Sequence, residues 1–128
     1  LLAPDGAMAV QSTSPYHAKK AFISIGKTVK AAGFKHVEQY QQNIPSFGQW
    51  GWTIATTRGQ SASARINDVV SLPVASRWIS QQYLLASFVF PNHYFEQIKD
   101  IEVNRLGSGA LYYYYRSAWQ MESELYKN

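Results

Sequence analysis

Asn43-Ile44-Pro45-Ser46-Phe47-Gly48-Gln49-Trp50-Gly51-Trp52-Thr53-Ile54-Ala55-Thr56 is the stretch on which the fold turns. Ile44-Pro45 closes one extended run, Gly48 and Gly51 punctuate the middle, and Trp52 to Thr56 alternates large apolar with small or polar residues. That alternation is the period of a half-buried strand. Between the two strands lies a bend carrying the Phe47 ring and the Trp50 indole. Glycine lets the backbone turn there or approach a neighbour closely, so a sheet edge can present flat rings toward a cleft. Such rings also serve as plain core, and a cleft requires a second feature nearby.

That feature is sought upstream. Ala3-Pro4-Asp5-Gly6 predicts a turn, since proline presets its own φ and Asp-Gly suits the later turn positions. Ala7 to Gln11 is a short apolar run, expected as a strand buried on both faces. With no strand upstream to pair with it, the chain is expected to hold the second half of a larger domain. Gln11-Ser12-Thr13-Ser14 leads into a helix with Ser14 as N-cap and Pro15 in the first helical position. Ala18, Ala21, Phe22, Ile25, Val29 and Ala32 recur at helical spacing on one face, and Gly33 ends the helix. Gly26 falls on that apolar face and predicts close packing against the sheet. His36 to Ile44 reads as an outer strand with Glu38 on its solvated face, and the strand from Trp52 to Thr56 returns antiparallel.

Arg58 to Arg65 is small and polar and is expected as a mobile loop. Ser80 is expected to cap a helix, with Ile79 stapled onto Leu84 and with Leu84, Leu85 and Phe88 as its buried stripe. Phe90-Pro91-Asn92-His93 interrupts, and a further short helix is expected through Phe95 and Ile98. Ser108 can cap a last helix with the face Leu111, Tyr114, Tyr115, Ala118, Trp119 and Leu125. The run Tyr112 to Tyr115 covers nearly every side of that helix, so some phenols must face solvent or a partner.

Composition narrows the function classes. The 128 residues are 46% hydrophobic and 16% charged, which suits a packed domain rather than a disordered tail. The absence of cysteine excludes disulfides and thiolate metal sites. A net charge of +4 with scattered basic residues and no nucleic-acid motif argues against nucleic-acid binding. No apolar run reaches the roughly 20 residues of a membrane span. His17, His36 and His93 lack metal-ligand spacing, neither a nucleophile elbow nor a phosphate loop occurs, and the acidic residues form no acid–base pair.

Gln11-Ser12-Thr13-Ser14-Pro15-Tyr16, the helix end Ala31-Ala32-Gly33-Phe34, and Ile44 to Gly51 together resemble the C-terminal part of spermidine synthase-like polyamine aminopropyltransferases. Phe88-Val89-Phe90-Pro91 and Val103-Asn104-Arg105-Leu106 resemble the branch often fused to an N-terminal membrane region. Each motif is weak alone, and five in this order are fairly specific. The likeness covers most of the chain except Arg58 to about Leu72.

The resemblance implies an α/β fold: the C-terminal part of a Rossmann-like methyltransferase sheet (strand, helix, antiparallel strand pair) over 1–57, a loop over 58–73, and a helical C-terminal extension over 74–128. It implies a parent enzyme that moves an aminopropyl group from decarboxylated S-adenosylmethionine to putrescine, and a chain inactive by itself. The family's catalytic aspartate would lie before Leu1, so no catalytic residue, cofactor or metal is assigned to this chain. Gln11 and Trp50 match amine-pocket positions: Gln11 would accept a hydrogen bond from the diamine, and Trp50 would wall its methylene stem and face an ammonium. Phe47 is a third substrate-binding candidate, standing where many relatives carry tyrosine. The bland alternatives give Gln11 to sheet-end amides and Phe47 to the core. A homo-oligomer in the cytoplasm, tethered through an upstream membrane region, completes the implication. The alternatives are a non-catalytic interaction module of the same fold and a methyltransferase of another substrate class.

Overall fold

The computed structural model describes residues 2–96 and 98–125. The elements run β1 (Ala7–Gln11), α1 (Lys19–Ala31), β2 (His36–Ile44), β3 (Gly48–Thr56), α2 (Ala62–Asp68), α3 (Gln81–Ala86) and α4 (Ala110–Leu125). The three strands form one sheet in the order β1-β3-β2. Strand β3 is antiparallel to both neighbours, pairing Val10 with Thr53 and Gln39 with Thr53 on opposite sides. The last strand in sequence is therefore the middle one in space, and β1 and β2 run parallel on either side of it. The expected outer position of β2 holds.

Strand β1 was expected to be buried on both faces, and it is not: only Met8 is half-buried and its other residues are exposed. The cause is topological, since β1 has a strand on one edge only. The Ala3–Gly6 turn forms as expected, with Gly6 N–H donating to Ala3 O at 2.9 Å.

Helix α1 starts four residues later than the sequence suggests. Pro15 to Ala18 makes a separate turn in which Ser14 Oγ accepts from His17 N–H at 3.2 Å and Ser14 O from Ala18 N–H at 3.1 Å. The helix ends where expected, with Gly33 at φ +96. Its apolar face buries Ala21, Phe22 and Val29 against the sheet. Phe22 is fully buried, a contribution of roughly 1.5–3 kcal/mol. Gly26 is the expected close approach: a Cβ there would lie 2.6 Å from Gln39 Cδ.

The stretch read as a loop contains helix α2, capped by Ser61, whose Oγ accepts from Ala64 N–H at 3.3 Å. Glu38, expected on a solvated face, instead takes Ser63 N–H at 3.0 Å and the Ser63 hydroxyl. A carboxylate at the first turn of a helix is well placed for its free amides and dipole. Ser80 caps α3 as expected, accepting from Tyr83 N–H at 3.1 Å.

The short helix expected through Phe95 is absent among the described residues. Single turns replace it, and His93 sits at φ +64, which a right-handed helix does not allow. Tyr94 is buried there and joins Phe22, Ile23 and Ile101 in the main core. On α4, Leu111, Tyr114 and Ala118 are half-buried, while Tyr112, Tyr113, Tyr115 and Trp119 are exposed. The Leu125 side chain lies outside the described residues. No described helix is long and apolar enough to cross a membrane.

Candidate functional site

The bend between β2 and β3 meets the end of β1 through two backbone hydrogen bonds. Ser12 N–H donates to Gly51 O, and Gly51 N–H donates to Thr13 O, both at 2.8 Å. Below them the Ser12 and Thr53 hydroxyls bond each other at 2.8 Å, and Gln39 Nε2 donates to Thr53 Oγ1 at 3.1 Å and to Phe22 O at 2.7 Å. This buried polar ladder fixes where the chain leaves β1, and therefore where Gln11, Thr13 and Trp50 stand.

Those three residues line one cavity of about 800 Å³, within the usual size range of small-molecule sites. Ala21 and Ile25 of α1 contribute one wall. The opposite wall comes from the 104–109 loop together with Leu111, Tyr112 and Tyr115 of α4. The loop is tied to α1 by bonds that span the chain. Ser24 Oγ donates to Glu102 O at 2.7 Å, Lys27 Nζ to Ile98 O and, at 2.7 Å, to Ile101 O, and Asn104 N–H to Thr28 Oγ1 at 2.9 Å. Asn104 Oδ1 in turn accepts from Leu111 N–H at 3.2 Å, satisfying an amide in the first turn of α4. Ser108, the expected cap, accepts from Ala110 N–H at 3.4 Å.

The structure thus brings Gln11 and Trp50 together and leaves Phe47 outside. Gln11 is exposed and its side chain takes no hydrogen bond among the described residues, so no sheet-end amide accounts for it. Trp50 is half-buried and its indole N–H has no partner. Phe47 is 67% exposed and does not fill the core. Its ring packs on Trp50 at 5.5 Å between centroids with a 44° tilt, bracing the indole.

Sequence reasoning missed Thr13, the 104–109 loop and the α4 tyrosines as one surface. Gly107 and Gly109 around Ser108 signalled a loop, but nothing local said what it faces. The cavity's walls hold one charged side chain, Arg105, and no carboxylate among the described residues. No group of three or more potential metal-ligating His, Asp or Glu residues lies among the described residues either. Beside the site, burial raises the Tyr94 phenol well above its ordinary pKa, and the nearby Tyr16 adds to the rise. The Tyr94 hydroxyl donates to Pro15 O, and Lys19 Nζ sits 4.5 Å from its ring centroid. Tyr40, stacked on Trp52 at 5.5 Å, is also raised by burial.

No family model matches the chain. It is 48% identical over 119 residues to a polyamine aminopropyltransferase of Shewanella oneidensis, covering 93% of this chain and 21% of that protein. It is 34% identical over 121 residues to polyamine aminopropyltransferase 1 of Streptomyces coelicolor, covering 94% and 22%. A polyamine aminopropyltransferase of Mycobacterium tuberculosis is 37% identical over 95 residues, covering 70% and 16%. The chain spans about a fifth of the length of the first two.

Proposed function

Because the chain belongs to the polyamine aminopropyltransferase family over nearly its whole length, we propose that it is the C-terminal part of an enzyme transferring an aminopropyl group from decarboxylated S-adenosylmethionine to putrescine. The observation that carries this reading is the meeting of Gln11 and Trp50 on one cavity. The sheet order supports it too: an antiparallel β3 between β1 and β2 suits the closing strands of a Rossmann-like methyltransferase sheet.

In the reaction an unprotonated amine of the diamine attacks the carbon next to the sulfonium. A nitrogen–carbon bond forms, the carbon–sulfur bond breaks, methylthioadenosine leaves, and the amine loses a proton to an upstream aspartate of the parent. Gln11 contributes a carbonyl oxygen to an amine N–H. The Trp50 ring walls the methylene stem, and its face suits an ammonium at the far end. Phe47 supports Trp50 from outside. The aspartate and the nucleotide contacts lie on other parts of the parent, so residues 1–128 alone turn nothing over. The parent works in the cytoplasm, tethered where an upstream membrane region is present.

The test is an assay of the full-length protein with putrescine and decarboxylated S-adenosylmethionine. Release of methylthioadenosine is expected, and a folded but inactive parent would overturn the reading. Trp50→Ala is expected to raise the Michaelis constant for the diamine; an unchanged value removes Trp50 from the site.

A second reading, self-association through this region, is favoured by one observation. Tyr112, Tyr113, Trp119 and Met121 of α4 are all exposed, a concentration of apolar surface that suits an interface. Light scattering tests it: a homo-oligomer is expected, and a strict monomer at high concentration defeats it.

A further inference from the structure

Three buried side-chain polar atoms lack a hydrogen-bond partner: Thr13 Oγ1, Trp50 Nε1 and Gln41 Oε1. Buried polar groups are nearly always paired, and each orphan calls for an explanation. Gln41 lies outside the cavity, and its amide nitrogen already donates to Tyr16 Oη and Val89 O. The other two residues both line the cavity with Gln11. They are also neighbours in space, since Thr13 O accepts the amide N–H of Gly51, the residue after Trp50.

Thr13 carries a second anomaly. It stands at φ +62, one of only two such residues other than glycine among those described. A β-branched side chain resists that region, and residues held there cluster at ligand clamps. The Gly51 bond and the buried Ser12–Thr53 pair hold the backbone in this shape. The hydroxyl is 8% exposed with its residue, yet nothing in the surrounding protein uses it. A strained backbone and an unused hydroxyl at one residue have a common account if the partner arrives with the substrate.

We infer that Thr13 is a positioning residue of this site, and that its hydroxyl and the Trp50 indole N–H hydrogen-bond one uncharged polar group of the bound acceptor. The donor and acceptor requirements fix the chemistry. An indole N–H only donates and a hydroxyl also accepts, so the group between them must accept one bond and donate another. A neutral amine or a hydroxyl does both, whereas an ammonium has no lone pair for Trp50. The cavity walls agree, since they offer Arg105 and no carboxylate among the described residues. This rests on the reading of function proposed above: it places a neutral, non-attacking amine between Thr13 and Trp50, while Gln11 holds an N–H.

The experiment uses the full-length protein and two near-isosteric variants, Thr13→Val and Trp50→Phe, with putrescine binding measured by calorimetry beside the Michaelis constant. Each variant is expected to weaken diamine binding by about threefold to tenfold, the usual worth of one neutral hydrogen bond. Thr13→Ser is expected to restore it. Thermal unfolding without ligand should leave Thr13→Val as stable as the wild type or more so, because an unpaired hydroxyl has been removed. Unchanged diamine affinity in Thr13→Val, with a lowered melting temperature, overturns the inference and gives the hydroxyl a purely structural partner such as a buried water. A wild-type parent that binds no diamine sinks the proposed function and this inference together; a binding wild type with an equally binding Thr13→Val sinks this inference alone.

Discussion

Gly51 has no room for a side chain. A Cβ built there would lie 2.4 Å from Phe22 Cε2 and 3.0 Å from the Thr13 carbonyl oxygen. The ring is fully buried and the carbonyl is backbone, so neither can move cheaply. Gly51→Ala is therefore expected to cost roughly 1–3 kcal/mol of stability, as overpacked cores do, with the loss read as a shift in urea midpoint. Gly26 offers an instructive contrast. Its nearest neighbour is the flexible end of Gln39, and alanine in a helix interior returns about 1 kcal/mol over glycine. Displacing Gln39 strips its bonds to Phe22 O and Thr53 Oγ1, so Gly26→Ala should still destabilise, by less than Gly51→Ala. The reverse order would mean that the sheet bend has more slack than its packing implies. Both glycines were legible in the sequence as punctuation; which ring each one meets was not.

The cavity exists because the 98–109 segment is fastened to α1. Lys27 does most of this, capping the carbonyls of Ile98 and Ile101 with one ammonium. Lys27→Met keeps the apolar stem and removes the charge, leaving two carbonyls without that donor. The expected loss is roughly 1–3 kcal/mol, with faster amide exchange confined to residues 98–109; unchanged exchange there would show that Ser24 and Thr28 suffice. The other short helices depend on their caps. Ser80→Ala should cost about 1 kcal/mol and fray α3, visible as lost exchange protection at the Tyr83 amide, which the Ser80 hydroxyl accepts. The α3 cap was readable because Ser80 precedes an apolar run. Helix α2 was missed because its residues are small and polar, and small polar composition reads as loop whatever holds it. What holds it is Glu38, 25 residues away in sequence, at its first turn.

Across the whole molecule, the buried phenols set the alkaline limit of stability. Burial raises the folded-state pKa of Tyr94 above that of the unfolded chain, and raises Tyr40 too. Below the ordinary tyrosine pKa of about 10 both states are neutral and these groups leave stability level. Above it the unfolded chain releases its protons first, so stability falls as pH climbs toward the folded pKa values. Urea midpoints are expected to hold steady up to about pH 9 and to decline above about pH 10. Tyr94→Phe should flatten that decline, and an equally steep fall in the variant would place the sensitivity elsewhere.

The sequence by itself determined the local geometry: the proline and glycine punctuation, the alternation of β3, the apolar face of α1 with its notch at Gly26, and the Ser80 cap. These follow from backbone sterics and from helical or strand periodicity, which act over a few residues. It also held enough ordered motifs around Gln11 and Trp50 to mark the family. Only the tertiary structure decided that β1 is an exposed edge, that Phe47 braces Trp50 from outside, and that Thr13 sits in a left-handed turn with an unused hydroxyl. Those outcomes hang on contacts between distant parts of the chain, such as Ser24 with Glu102, 78 residues apart, and no local pattern encodes which distant groups will meet.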